Sequence, residues 1–424
     1  MDLSTAIAFV IANMIGTGIF TSLGFQLLDI KNPLSIMLLW ITGSVLALFG
    51  AFSYSEIAIN FPRSGGEYNF TKELYHPCVG FSAGWVSLFA GFAAPVSLAS
   101  MALGSYLNFL IPALNKTMVA VIAILAITVF HLFNNRVSSI FQRFFTYIKV
   151  IVIILFVISG FLIPNSQNLD FTFNSSVVKD LFNPGFAVSL LYVSFAYSGW
   201  NATTYITNEV ENPSKNIPRS LFIGTLVVSI LYLSLNFVFL HTTPIENLTG
   251  KLEIGVISAD YIFGKSGGQI MGGIISLLLV STVSSMIFSG PRVLSAMGKD
   301  FRFLNFLVEK DNKPPKLSIL IQSLLSILLV VTSTFEQVIT FVGFILIIYT
   351  MLTVFGVFIL RYKNISSDNY RTFGYPFTPV IFLAINSWFL YFVVVSRPFE
   401  ALIGSLFLLS SVVFYFIINK KQTN

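Results

Sequence analysis

Stretches of about 20 mostly apolar residues, the length a helix needs to cross a bilayer, recur along this chain from end to end. The pattern predicts twelve spans, at 4–28, 33–58, 77–111, 118–133, 138–163, 184–208, 218–242, 267–297, 317–334, 337–361, 377–396 and 399–418. Of the 424 residues, 55% are hydrophobic and only 10% charged, against about 25% charged in a typical soluble domain. Such a chain lacks the polar surface to face water on all sides. The expected class is an all-α protein whose solvent is the lipid bilayer.

The net charge of +6 does not point to nucleic acid, because the cations sit in connecting loops and at helix ends, where they set orientation. Seventeen of the 24 Lys and Arg fall on the side of the N-terminus, six fall on the other, and Lys149 lies inside a span. The excess predicts both termini in the cytoplasm of a multi-pass protein of the cell membrane, which requires an even number of spans. Asp2 rather than a basic residue precedes the first apolar run, so that span is expected to be its own insertion signal. The single cysteine, Cys78, cannot form an internal disulfide.

Two of the spans are interrupted. The first reads Ala12-Asn13-Met14-Ile15-Gly16-Thr17-Gly18-Ile19-Phe20, and the sixth Phe195-Ala196-Tyr197-Ser198-Gly199-Trp200-Asn201. Glycine weakens a helix interior, and unwound backbone at membrane depth persists only inside protein or along a cavity. A small residue in one span is accounted for by close helix packing. If spans one to five and six to ten are two inverted repeats, both interruptions lie in the first helix of a repeat, and the pair points instead to the central site of a carrier. Unwinding exposes N–H groups at the head of the following half-helix, which suit an anion, and carbonyls at the end of the preceding one, which suit a cation. Facing breaks can therefore hold a zwitterion such as an α-amino acid.

Gly16-Thr17-Gly18-Ile19-Phe20 resembles the G-[ST]-G-I-F motif of the amino acid–polyamine–organocation superfamily, in particular its L-type amino acid transporter branch. The F-A-Y-x-G-W-N motif of that branch is matched by residues 195–201, and its cytoplasmic P-R-S-G-G-E-Y segment by Pro62-Arg63-Ser64-Gly65-Gly66-Glu67-Tyr68. Asn208-Glu209-Val210-Glu211-Asn212-Pro213 follows in order, and Arg292 ends the eighth span. Gly290-Pro291 departs from the small hydroxyl residues common there. The resemblance implies a LeuT-like fold of two inverted five-helix repeats, 1–163 and 184–361, with two further helices at 377–418. It implies that Ile15, Gly16, Thr17 and Gly18 take a substrate carboxylate, and that carbonyls of Phe195, Ala196 and Ser198 take the ammonium. Phe195 would gate the site from outside, Gly199 and Asn201 would line the side-chain pocket, and Trp200 would pack beneath it.

Lys149 lies near the middle of the fifth span. A cation at that depth costs a few kcal/mol even on lenient insertion scales and needs an interior partner or a function. The position resembles the family's fifth-helix lysine, which stands where sodium-driven relatives bind sodium. Its expected partners are the first break and a hydroxyl of the eighth span, Thr282 before Ser281, Ser284 and Ser285. The expectation is sodium-independent transport, with either proton coupling or amino acid exchange.

Glu56, Glu67, Glu209 and Glu211 read either as parts of an inner gate or as solvated loop charges, and 62–75 as a short interfacial segment. His76, His131 and His241 show no metal-ligand spacing and sit near span ends. The stretches 164–183 and 242–265 read as external loops. No acidic residue lies within either break, which favours neutral L-amino acids over cationic amino acids or polyamines as cargo. Neither clustered acids, a Ser/His pair nor a metal set appears at membrane depth, so an intramembrane enzyme is disfavoured. No G-x-x-x-x-G-K-[ST] loop suggests ATP-driven transport. The paired breaks favour a carrier over a channel. No cofactor or metal is expected; the partners are the amino acid, the lipid bilayer and, on the symport reading, protons. The sequence leaves the oligomeric state open.

Overall fold

The structure, a computed structural model, describes all residues except 134–135, 164–166, 309–314, 366–369 and 424. The side chains of 136–143 and 418–423 also lie outside the description, so Arg136, Arg143, Lys310, Lys313, Lys420 and Lys421 of the charge partition cannot be placed.

Among the described residues every regular element is helical. In chain order the α-helices are α1 (Leu3–Met14), α2 (Gly18–Asp29), α3 (Pro33–Asn60), α4 (Glu67–Leu74), α5 (Pro77–Val86), α6 (Ala94–Leu110), α7 (Lys116–Phe133), α8 (Arg136–Phe161) and α9 (Ser175–Leu181). They continue with α10 (Pro184–Tyr197), α11 (Pro213–Thr242), α12 (Ile245–Leu248), α13 (Ile254–Asp300), α14 (Lys316–Thr332), α15 (Phe335–Tyr362), α16 (Phe377–Ser396) and α17 (Pro398–Thr423). Local chemistry sets many of the starts. Asp2 caps α1 through Thr5 N–H, and Asn32 caps α3 just ahead of Pro33, which needs no partner for its nitrogen. Thr334 and Gln337 close a reciprocal capping box on α15.

Among the described residues, ten helical segments are long and apolar enough to cross a membrane, counting α1–α2 and α5–α6 as one each. Helix α14, with 17 residues, and α10, with 14, fall short of that length. Of these segments 77–110 is the most buried, with 72% of its apolar stretch covered, against 22% for α7. The periphery, including α7, α14 and α17, turns residues such as Met118, Leu324 and Leu409 outward, as a lipid solvent allows. Inside, α3 packs on α11, α6 on α13, and α10 on α2.

Two spans differ from the sequence reading in ways their residues explain. Between α5 and α6 the chain widens into a π-helical turn, Ser87–Ala93. Pro95, the second residue of α6, cannot return an N–H to the Gly91 carbonyl, so the helix accommodates the missing bond there. The eighth span, read as 267–297, belongs to a helical stretch beginning at Ile254, inside the segment read as an external loop. Gly264 interrupts that stretch at φ 74°, ψ 173°, a conformation open to glycine and poor for other residues. The polar composition around Lys265 hid the helix on either side of it.

Candidate functional site

Helix α1 stops at Met14 and α2 starts at Gly18, with Ile15 at φ −75°, ψ 88° turning the chain out of the helix. The Gly16 N–H folds back onto the Met14 carbonyl at 2.9 Å, and the Phe20 N–H onto Thr17 at 2.9 Å. The amides of Thr17, Gly18 and Ile19 stand at the head of α2, where a helix leaves its donors unpaired. The second break has the same construction. Helix α10 ends at Tyr197, Ser198 turns out at ψ 146°, Gly199 takes φ 98°, and a 3₁₀ segment resumes at Ala202–Glu209.

The breaks touch each other. A Cβ on Gly18 would lie 2.6 Å from the Cα of Ala196, and one on Gly199 would lie 2.7 Å from the carbonyl carbon of Asn13. Only glycine permits either approach. Ile15, Thr17, Phe195 and Ala196 are buried around this contact, while Asn201 is partly accessible.

Lys149, on α8 and only 4% exposed, reaches the first break from the side. Its Nζ donates to the Ile15 carbonyl at 3.0 Å and to Thr282 Oγ1 on α13 at 2.9 Å. The Tyr232 hydroxyl of α11 donates to the adjacent Met14 carbonyl at 2.6 Å. Two carbonyls at the cut end of α1 therefore receive side-chain donors, one of them a cation, which suits the negative end of a helix. Of the hydroxyls considered on α13, Thr282 meets the lysine, whereas Ser284 pairs with His131 Nε2 at 2.8 Å. His131, read from the sequence as a span-end residue, is therefore buried, and a Ser/His pair that the sequence reading did not find lies within the bundle.

A cavity of about 810 Å³ runs from the two breaks, past Asn201 and Glu67, to the face bearing Arg63, Arg292 and Lys299. None of the six basic residues assigned to the opposite face lines it. Toward that face the bundle is filled by Phe25, which stacks on Phe335 at 5.6 Å and meets Tyr192 at 6.0 Å. Tyr192 and Arg397 both bond Glu336 beside them. Trp200 packs edge-on against Tyr54 at 4.7 Å.

Glu67 departs most from the sequence reading. It opens α4, is 7% exposed, and lines the cavity rather than the solvent. Its carboxyl accepts hydrogen bonds from Tyr54, Tyr205 and Asn201. Burial pushes its pKa above the ordinary carboxylate value, against the pull of those donors. Glu56 is buried too, receiving Arg361 through both carboxylate oxygens at 2.9 and 3.0 Å and the Thr372 N–H. A second polar cluster ties Asp300 at the end of α13 to Arg63, Tyr68 and Lys72. No group of His, Cys, Asp and Glu among the described residues could hold a metal ion.

The family model described as amino acid permease matches residues 1–423. The chain is 24% identical to the b(0,+)-type amino acid transporter 1 of Mus musculus, over 98% of this chain and 87% of that one. It is 27% identical to the serine/threonine exchanger SteT of Bacillus subtilis, over 89% and 87% of the two chains. With the large neutral amino acids transporter small subunit 2 of Rattus norvegicus it shares 26% identity, over 98% and 80%.

Proposed function

Because this chain belongs to the amino acid permease family, we propose that it carries a neutral L-amino acid across the cell membrane by alternating access, without sodium. It is a multi-pass membrane protein with transporters, not enzymes, as its relatives. In this reading the fold is LeuT-like, with twelve spans, inverted repeats at 1–163 and 184–361, and two further helices at 377–418. The substrate carboxylate lies on the amides of Thr17 and Gly18, beside Ile15 and Gly16, and takes the Gly16 amide only if that N–H leaves the Met14 carbonyl it meets at 2.9 Å. Its ammonium lies on the carbonyls of Phe195, Ala196 and Ser198, and its side chain points toward Gly199 and Asn201.

The observation that carries the reading is the direct contact of the two breaks, Gly18 on Ala196 and Gly199 on Asn13, at the head of one large cavity. It brings unpaired helix-start amides and helix-end carbonyls together, the two charges a zwitterion needs. Lys149, bonded to Ile15 and Thr282, supplies a cation, fixed or able to give up and regain its proton, where a sodium ion would otherwise join α1 to α13. With the termini on the cytoplasmic side, the basic face reached by the cavity is cytoplasmic and the protein is open inward.

A second reading, a cationic amino acid as cargo, draws on Glu67, a carboxylate on the cavity wall that the sequence reading left out of the site. Against it, three donors already engage that carboxyl.

Uptake of labelled amino acids into proteoliposomes tests both. The expected result is saturable uptake of neutral L-amino acids, indifferent to replacement of sodium. Dependence on an imposed proton gradient identifies symport, and dependence on internal amino acid identifies exchange. Failure to move any amino acid by folded protein would overturn the reading; preference for lysine or arginine would select the second one.

A further inference from the structure

Residues 62–68 place a carboxylate where it can govern a neighbouring amide. Gly66, at φ 54°, sits so close to Tyr205 that a Cβ would lie 2.6 Å from the ring, and its N–H donates to the Thr204 carbonyl at 3.2 Å. That contact presses the start of α4 onto the 3₁₀ segment that follows the second break. Glu67, the next residue, is thereby brought against Asn201 and Tyr205 on that segment and against Tyr54 on α3.

We propose, building on amino acid transport at this site, that Glu67 sets side-chain preference by holding Asn201 so that the pocket favours amino acids whose side chain ends in a hydrogen-bond donor. A carboxylate only accepts hydrogen bonds, and the three groups converging on Glu67 all donate: Tyr54 OH and Asn201 Nδ2 to Oε1, Tyr205 OH to Oε2. The Asn201 amide cannot turn over without setting its oxygen against that of Glu67. Its orientation is therefore fixed, with the NH₂ group spent on Glu67 and the carbonyl Oδ1 left as the acceptor on the cavity wall. Asn201 and Glu67 line the same cavity as Gly16–Gly18 and Phe195–Gly199. A substrate anchored on the breaks thus extends its side chain toward acceptors. An apolar side chain there strips water from Oδ1 and returns no bond, which a polar site penalises strongly. Glu67 acts through Asn201 and is a positioning residue.

The experiment compares near-isosteric pairs on the same protein in proteoliposomes: threonine against valine, and lysine against norleucine. The first pair reads a hydroxyl donor and the second a cationic one. Wild type should favour the donor in at least one pair by about tenfold in initial rate over KM, the value of one hydrogen bond with its desolvation. In Glu67→Gln, whose side-chain amide can bond Asn201 in either orientation, that ratio should fall to within about twofold of one. A general loss of rate or folding yield cancels in the ratio. Should Glu67→Gln fail to fold, Asn201→Ala removes the acceptor itself and should abolish the same discrimination. Uptake with no preference in either pair, or a wild-type ratio retained in both variants, would overturn this inference and leave amino acid transport standing. Absence of any amino acid uptake would instead remove the transport reading, and this one with it.

Discussion

Lys149 Nζ stands 3.0 Å from the Ile15 carbonyl oxygen, so that a buried ammonium terminates a half-helix ending in mid-bundle. The carbonyl gains a donor it would otherwise lack, and the cation gains the negative end of α1. Each group makes the other tolerable in a place where either alone would be costly.

Lys149→Ala should therefore lower the initial rate of amino acid uptake by about tenfold or more, because Ile15 and Thr282 both lose a charged partner. Adding sodium should not restore it. Full uptake with an unchanged pH profile in the variant would remove the lysine from the coupling mechanism.

Gly18→Ala should separate the two breaks. The new methyl would stand 2.6 Å from a backbone atom of Ala196, which cannot rotate away. Overpacking of this kind costs about 1–3 kcal/mol, to be read as a lowered unfolding temperature in detergent together with lost uptake. Gly273→Ala is the control, since nothing lies within 4 Å of a Cβ there. Its stability should stay within about 1 kcal/mol of wild type.

Arg361→Ala should be among the more damaging single changes outside the site. Glu56 is fully buried and loses its two-pronged partner, and breaking a buried pair from one side costs about 3–5 kcal/mol. Arg361→Lys keeps the charge without the fork and should fall between the two. An unfolding temperature equal to that of wild type in the alanine variant would show that the pair contributes little.

The raised pKa of Glu67, caused first by burial, has a thermodynamic sign. A carboxyl that holds its proton more tightly folded than unfolded contributes stability in full below its unfolded pKa. That contribution is lost as pH rises through the higher folded pKa. Glu67→Gln has no such proton to lose. The unfolding temperature of the variant relative to wild type should therefore climb as pH is raised through that window. Parallel curves across the range would contradict the assignment.

The breaks were legible because glycine inside an apolar run is a local signal, and Lys149 was legible because a charge at that depth has few explanations. Thr282 could be put ahead of its neighbours as the partner only through the family resemblance. Glu67 was not legible in the same way. It heads a polar segment that reads as surface, and its three partners lie 13, 134 and 138 residues away in sequence. Tyr232, 218 residues from Met14, gave no signal beyond being one aromatic among many. The extent of α13 was obscured by Gly264 and its polar neighbours, which resemble a loop until the helix is seen on both sides.

The fit of Gly18 against Ala196 and of Gly199 against Asn13 also bears on kinematics. Each contact involves backbone and leaves no slack for a side chain to absorb. The interrupted helices are keyed together at two points, so a tilt of one either carries the other along or unlocks both. A rearrangement that preserves these contacts must swing the pair as a single lever.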